Sequence, residues 1–188
     1  GCLHPLTAFP PPGSAVPDLR GIHFAIDGVP AASRRAALLA RLLGGRVLRV
    51  PARSRVAYHL AASLTANGLV ALLDAGIELA VSRLGLSEPQ ARAALVPLAR
   101  AAVEGVARRG ARRALTGPAA RGDVETIRKH LIVLRSAPAD VARLYRLLAL
   151  RTVRLALADG RVSASRAAGI RRLLSAGRRA PAHPARAD

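Results

Sequence analysis

The sequence predicts a mainly α-helical protein in which a helical bundle follows a short strand–helix–strand unit. Three observations carry this. The stretch from Val56 to Leu84 has no proline, only Gly68 and Gly76 as internal glycines, and no charge between Arg55 and Asp74. Strand-like composition is confined to the residues before Pro51. After Ala52 the chain is divided by helix caps and glycine stops.

In order, Gly1 to Leu6 is a short strand-like apolar segment containing His4-Pro5, and the proline-rich run from Phe9 to Pro17 cannot be a regular element. Ile22 to Ile26 has strand composition and Asp27-Gly28 ends it with turn chemistry. Ala31 to Leu43 reads as a helix with Leu38, Leu39, Leu42 and Leu43 at helical spacing, stopped by Gly44-Gly45. Arg46 to Val50 is a second strand closed by Pro51. Strand, helix and strand in so short a span make a crossover unit. With so few strands it reads as the tail of a larger α/β domain.

The Val56 to Leu84 helix is apolar on every face, so it belongs at the centre of a bundle or in a bilayer. His59, Ser63, Thr65 and Asn67 within it, with Asp74 and Glu78 one turn apart, argue for the bundle. The rest of the chain is expected to pack around it. His59, Ser63 and Asn67 are four residues apart and share a face, where they meet partner helices or line a cleft. Ser87 with Glu88-Pro89 starts the next helix, which runs to about Arg109 and is stopped by Gly110. Pro97 inside it predicts a kink or restart near Val96. A polar loop follows, from Ala114 to Asp123. Asp123 then caps a helix over Val124–Leu134 with Ile127, Leu131 and Leu134 as its apolar stripe. A further helix opens at Pro138 or Asp140 and reaches Ala158, with Leu144, Leu147, Leu148 and Leu155 turned inward. Ser163 caps the last helix, to Leu174. The expected division is 1–51 for the α/β remnant, 52–176 for an all-α domain and 177–188 for a disordered tail.

A chain of 188 residues, half of them hydrophobic, can bury a real core. Its formal charge of +19 is carried by arginine, since Lys129 is the only lysine, a composition that a GC-rich coding bias produces. Phe9, Phe24, Tyr58 and Tyr145 are the only aromatic residues, too few for stacking platforms that grip single-stranded nucleic acid. Cys2, the single cysteine, excludes an intrachain disulfide and points away from a cysteine-based metal site, so the expected setting is cytoplasmic and metal-free. The chain has no methionine and opens in a strand-like run, so a segment is expected ahead of Gly1. No secretory signal is visible at its front.

His4-Pro5-Leu6, Tyr58-His59 with Asn67, and Leu115-Thr116-Gly117-Pro118 followed by Arg121-Gly122-Asp123 occur in this order. On these segments the chain resembles the C-terminal part of bacterial Rossmann-like NADP-binding oxidoreductases that carry a domain of unknown function 2520. These are relatives of pyrroline-5-carboxylate reductase and 6-phosphogluconate dehydrogenase. The resemblance covers Leu3 to about Leu174. It implies a helical bundle of the 6-phosphogluconate dehydrogenase C-terminal-like type after the last strand–helix–strand unit of a truncated Rossmann domain. It also implies NADP or NAD as cofactor, held mainly by a glycine-rich fingerprint that this sequence lacks.

By the same resemblance His4 and Pro5 border the nicotinamide, and His59 and Asn67 occupy the place of polar catalytic residues. The β-hydroxyacid dehydrogenase branch keeps a lysine four residues before its asparagine. Here Ser63 stands there, which leaves His59 as the histidine for general acid work or as a structural residue. Tyr58 and Ser63 are expected substrate contacts beside it. In the polar loop, the Thr116 hydroxyl and the amides around Gly117 can face a ligand, and Arg121 offers a bidentate partner for carboxylate or phosphate. Asp123 joins that set or caps the following helix, with an Arg121–Asp123 ion pair as the plain structural alternative. His130 either returns to the same cleft or sits at the surface.

The expected function is part of an NAD(P)-dependent oxidoreductase, with the helical domain closing the cleft over a small-molecule substrate and forming a homodimer, away from membranes. Two alternatives stand beside it: a non-enzymatic basic helical module for nucleic acid or other polyanions, and a dimerisation domain with a decayed site. Strand edges left open in so small a sheet predict self-association.

Overall fold

The computed structural model describes residues 1–176; the expected tail at 177–188 lies outside the described residues. Contacts divide the chain into two units, Gly1–Leu72 and Leu73–Asp188.

The first unit is built on strands β1 (Cys2–Pro5) and β2 (His23–Asp27), helix α1 (Pro30–Leu42) and strand β3 (Arg46–Arg49). They form one sheet in the order β1-β2-β3. β1 runs antiparallel to β2 with His4 opposite Ala25, and β2 runs parallel to β3 with Ala25 opposite Leu48. The crossover read from the sequence is therefore present. Alternation sends Leu3, Phe24, Ile26 and Val47 to one face, which packs on Ala36, Ala37 and Ala40 of α1. Cys2, His4, Ala25, Asp27 and Leu48 fall on the other face. Gly44 and Gly45 end α1 in a Schellman motif: Gly44 N–H donates to the Arg41 carbonyl, Gly45 N–H to that of Ala40, and Gly44 takes φ +73°. The same pair of bonds ends a later helix at Gly160, from Gly160 N–H to Leu157 and from Arg161 N–H to Ala156.

Which face of α1 is buried departs from expectation. Leu38, Leu39, Leu42 and Leu43 are exposed, Leu42 at 73%. Alanines let the helix lie close on a small sheet, and that close contact decides the orientation. The ring of Phe24, 1% exposed, fills the remaining space and reaches Gly45.

Helix α2 (Arg55–Leu84) follows a single 3-10 turn at Ala52–Ser54, and the division between units falls inside it. As a continuous helix it matches the sequence. Its enclosure does not: Ala80 is its one buried residue, while Val56 is 83% and Leu64 73% exposed. Val56, Leu60 and Leu64 form an exposed apolar stripe on its first half. By length and composition Ala52–Leu84 could cross a bilayer, at a mean hydropathy of 1.5.

The second unit continues with α3 (Glu88–Ala114), α4 (Pro118–Arg121), α5 (Val124–Val133), α6 (Ala139–Ala158) and α7 (Ala164–Ser175). Ser87 caps α3 in a full capping box with Gln90. The backbone stays helical through Pro97, so the helix does not restart near Val96, and it leaves the helical region at Gly110, where the stop was expected. α4 is a turn of helix inside the predicted polar loop. Ala119 and Ala120 explain it, because both are buried, Ala119 in the core cluster. The core joins Ile127 of α5, Ala149, Val153 and Ala156 of α6, and Ala167, Ile170 and Leu174 of α7. The α5 stripe holds, with Ile127 and Leu134 buried and Leu131 packed against the core. The α6 face is rotated from expectation. Leu147 and Leu148 are exposed, and small residues again make the close contact.

Each tyrosine stands edge-on to a histidine. Tyr58 Oη lies 3.1 Å from His4 Nδ1, and Tyr145 Oη lies 2.8 Å from His130 Nδ1. Burial pushes the Tyr145 hydroxyl above the usual range, and burial followed by the negative charge of the Cys2 thiolate does so for Tyr58.

Two outcomes follow. Replacing Gly45 by Ala drives a methyl into the Phe24 ring; overpacking of this kind costs ~1–3 kcal/mol, to be read as a lower denaturation midpoint in urea by far-UV circular dichroism. In an alkaline titration followed by tyrosinate absorbance, both tyrosines ionise above about pH 10, and in denaturant they return to about 10. A raised folded value means the proton is held more tightly when folded. This stabilisation is therefore complete below about pH 10 and is lost as pH rises through the folded values.

Candidate functional site

On the sheet face opposite α1, the loop after β1 and the first turns of α2 enclose a cleft of about 730 Å³. His4, Tyr58, His59, Ser63 and Asn67 line it, five of the residues singled out from the sequence. Helical spacing brings the α2 residues to it, and the pleat brings His4. Pro5 alternates to the α1 side and is not in the lining. Reading the sequence missed the rest of the wall. Leu6 ends the segment read as strand-like, Thr7 and Ala8 follow it, Phe9 opens the proline-rich run read as irregular, and Leu48 comes from β3. Leu48 was within reach, since a parallel strand pairs it with Ala25 on the His4 face.

A smaller cavity of about 160 Å³ adjoins, lined by Cys2, His4, Asp27, Val50, Arg55, Tyr58 and His59 among others. Arg55 donates to Asp27 Oδ2 at 2.6 Å. The Gly28 backbone N–H, the largest influence on the Asp27 carboxyl, holds it below the usual carboxylate range, and Arg55 adds to that. The Asp27–Arg55 and His4–Tyr58 contacts together fix the start of α2 over the sheet. Asn67 Nδ2 donates to Ser63 Oγ at 3.2 Å, which leaves the Asn67 carbonyl and one N–H facing the cleft. Among the described residues nothing hydrogen-bonds the His59 ring, so both its nitrogens are available to a ligand. No group of three or more His, Cys, Asp or Glu among the described residues could hold a metal ion.

Thr116, Gly117, Arg121 and Asp123 belong to the second unit. Arg161 donates to the Leu115 carbonyl at 3.0 Å and to that of Arg112, and pairs with Asp159 at 2.9 Å, so the approach to Thr116 is pinned. Gly122 takes φ +72°, and a Cβ there would meet Arg166 and Val162 at 3.2 Å. Thr116 and Arg121 are exposed. Asp123 is used as a cap: Oδ1 accepts from Thr126 N–H at 3.0 Å and Oδ2 from the Thr126 hydroxyl at 2.7 Å. These bonds, the hydroxyl's first, hold its carboxyl below the usual range. Among the described residues Arg121 and Asp123 form no ion pair within 4.0 Å. His130 is not at the surface; it is partly buried against Tyr145.

Among curated proteins none matches the chain. Among solved structures it is similar to the crystal structure of a candidate NADP oxidoreductase from Bacteroides fragilis, at 26% identity and a TM-score of 0.65. The match covers 81% of this chain and 56% of that one, so this chain spans little more than half the length of that relative. That likeness agrees with a helical domain following a Rossmann-like piece. Residues 22–152 match the model of the Domain of unknown function DUF2520, which takes in α1, β3, the whole of α2 and the Thr116–Asp123 segment. The chain belongs to the DUF2520 family.

Proposed function

We propose that the chain is the substrate-side part of an NADP-dependent oxidoreductase, with the cleft of the first unit as the reaction site. The observation that supports it is the convergence of His4, Tyr58, His59, Ser63 and Asn67 on one cleft in a chain similar to a candidate NADP oxidoreductase. The donor set suits one end of the cofactor. Among the described residues no arginine or lysine lines the cleft, so it suits the uncharged reduced nicotinamide and not a diphosphate. In this reading the diphosphate is held elsewhere in a longer protein. NADPH, when bound, would supply the hydride and become NADP+.

The roles follow from the chemistry. His59, whose ring has no partner among the described residues, exchanges a proton with the substrate oxygen or nitrogen. Asn67, steadied by Ser63, orients the reacting group through its carbonyl and remaining N–H. The Tyr58 hydroxyl, held by His4, offers a further hydrogen bond. His4 borders the nicotinamide, and Pro5 fixes the strand end behind it. Thr116, Gly117 and Arg121 offer separate ligand contacts on the second unit, and Asp123 keeps their loop in place. The reaction is a hydride transfer between the nicotinamide and a small molecule, in a cytoplasmic protein. A second reading, a dimerisation domain with a decayed site, is favoured by Ser63 standing where a related branch keeps its lysine.

The outward stripe of α2, Val56, Leu60 and Leu64 with Ala57, Ala61 and Gly68 beside it, suits the same helix of a second copy, because small residues let helices approach.

Titration of the intact gene product with NADPH, followed by nicotinamide fluorescence, is expected to show saturable binding, and a His59→Gln variant to lose roughly 10²–10⁴-fold in turnover once a substrate is found. Absence of any NADPH binding would remove the cofactor from the reading. Light scattering after size exclusion is expected to give a dimer, and Leu60→Arg with Leu64→Arg a monomer that keeps its helical circular dichroism. Partition of the unaltered protein into detergent micelles, with no dimer in their absence, would assign the stripe to a bilayer instead.

A further inference from the structure

The charge of this chain is distributed in a way that bears on its ligand. Thirty of its 188 residues are Lys or Arg, yet among the described residues no Lys, Arg, Asp or Glu lines the 730 Å³ cleft. Arg55, in the adjoining cavity, is taken up by Asp27 at 2.6 Å. The walls are Leu6, Phe9, Leu48, Ala61, Ala62 and Ala66, and the polar groups among them are hydrogen-bonding ones: Thr7, Tyr58, Ser63, Thr65 and Asn67, with the imidazoles of His4 and His59.

A carboxylate or phosphate entering such a cleft gives up hydration and meets no fixed cation, which is costly. A neutral ligand of the same shape gains apolar contact along the alanine wall and loses little, because hydroxyls and an amide can satisfy a carbonyl or a hydroxyl. From this we infer that the cleft selects an uncharged, largely apolar small molecule bearing a hydrogen-bonding carbonyl, imine or hydroxyl, and discriminates against anionic counterparts. The inference names the substrate class of the reaction site and rests on the oxidoreductase reading only for what happens to that ligand, not for its binding.

The test uses an isosteric pair differing in charge, para-acetylbenzamide and para-acetylbenzoate, titrated into the intact protein without NADPH at about pH 8.5, where an ordinary imidazole is neutral. Surface arginines attract the benzoate anywhere, so affinity is read only from methyl resonances of Leu48, Ala62 and Ala66. The amide is expected to bind at the cleft at least roughly tenfold more tightly, equivalent to ~1.4 kcal/mol. An Ala66→Arg variant, at an exposed position on a helix that accepts arginine readily, is expected to reverse the preference. Equal or tighter cleft binding of the benzoate by the unaltered protein would overturn the inference. So would the absence of cleft shifts with both probes. Preference for the amide with no NADPH binding in the separate titration would leave the ligand class standing and remove the oxidoreductase.

Discussion

The cleft depends on how the start of α2 is fastened to the open face of a three-stranded sheet. Two contacts do this, the hydrogen bond between His4 and Tyr58 and the ion pair between Asp27 and Arg55. Both join a strand residue to the first turn of the helix, across more than twenty residues of chain. Surface ion pairs are weak, but here one partner is mostly covered and its carboxylate is further held by the Gly28 amide. With the first turn fixed, helical geometry alone carries Ser63 and Asn67 along the cleft wall, one turn and two turns further on. The polar residues need no individual anchoring.

A second regularity runs through both units. Alanine makes much of the buried contact in α1 against the sheet and in α6 against α7, while Leu38, Leu42, Leu147 and Leu148 are exposed. Close backbone approach recovers in dispersion what the small side chains lack in area. The leucines so released form apolar surface on α1, α2 and α6, more than an isolated chain ordinarily leaves in water. That surface has the same origin as the packing of the core.

The order of elements was legible because it is written in local chemistry. Asp123, Ser87 and Ser163 cap the helices they were expected to cap, and Gly44, Gly110 and Gly160 end theirs. Faces were less legible. Hydrophobic periodicity favours leucine over alanine, so it pointed to Leu38, Leu42 and Leu147 as inward residues when close packing had chosen Ala36, Ala40 and Ala149. The same bias made α2 look enclosed. Within the site, residues on a single helix were found by spacing, whereas Leu48 and Thr7 depend on strand pairing and on a loop path that no local signal encodes. The helical turn at Pro118–Arg121 was hidden for a related reason, since its cause is the burial of two alanines by distant residues.

Arginine in this chain is also a structural fastener. Arg161 closes the end of α3 by donating to the Arg112 and Leu115 carbonyls, Arg146 donates to Leu173 and Leu174 at the end of α7, and Arg83 reaches the Ser136 carbonyl. A guanidinium fork spans two carbonyls at once, which a lysine ammonium on its flexible stem does not do in the same fixed geometry. A codon supply that favours arginine over lysine thus reaches past surface charge into the way helices are terminated. A homologue from an AT-rich genome, rich in lysine instead, would have to end the same helices by other means.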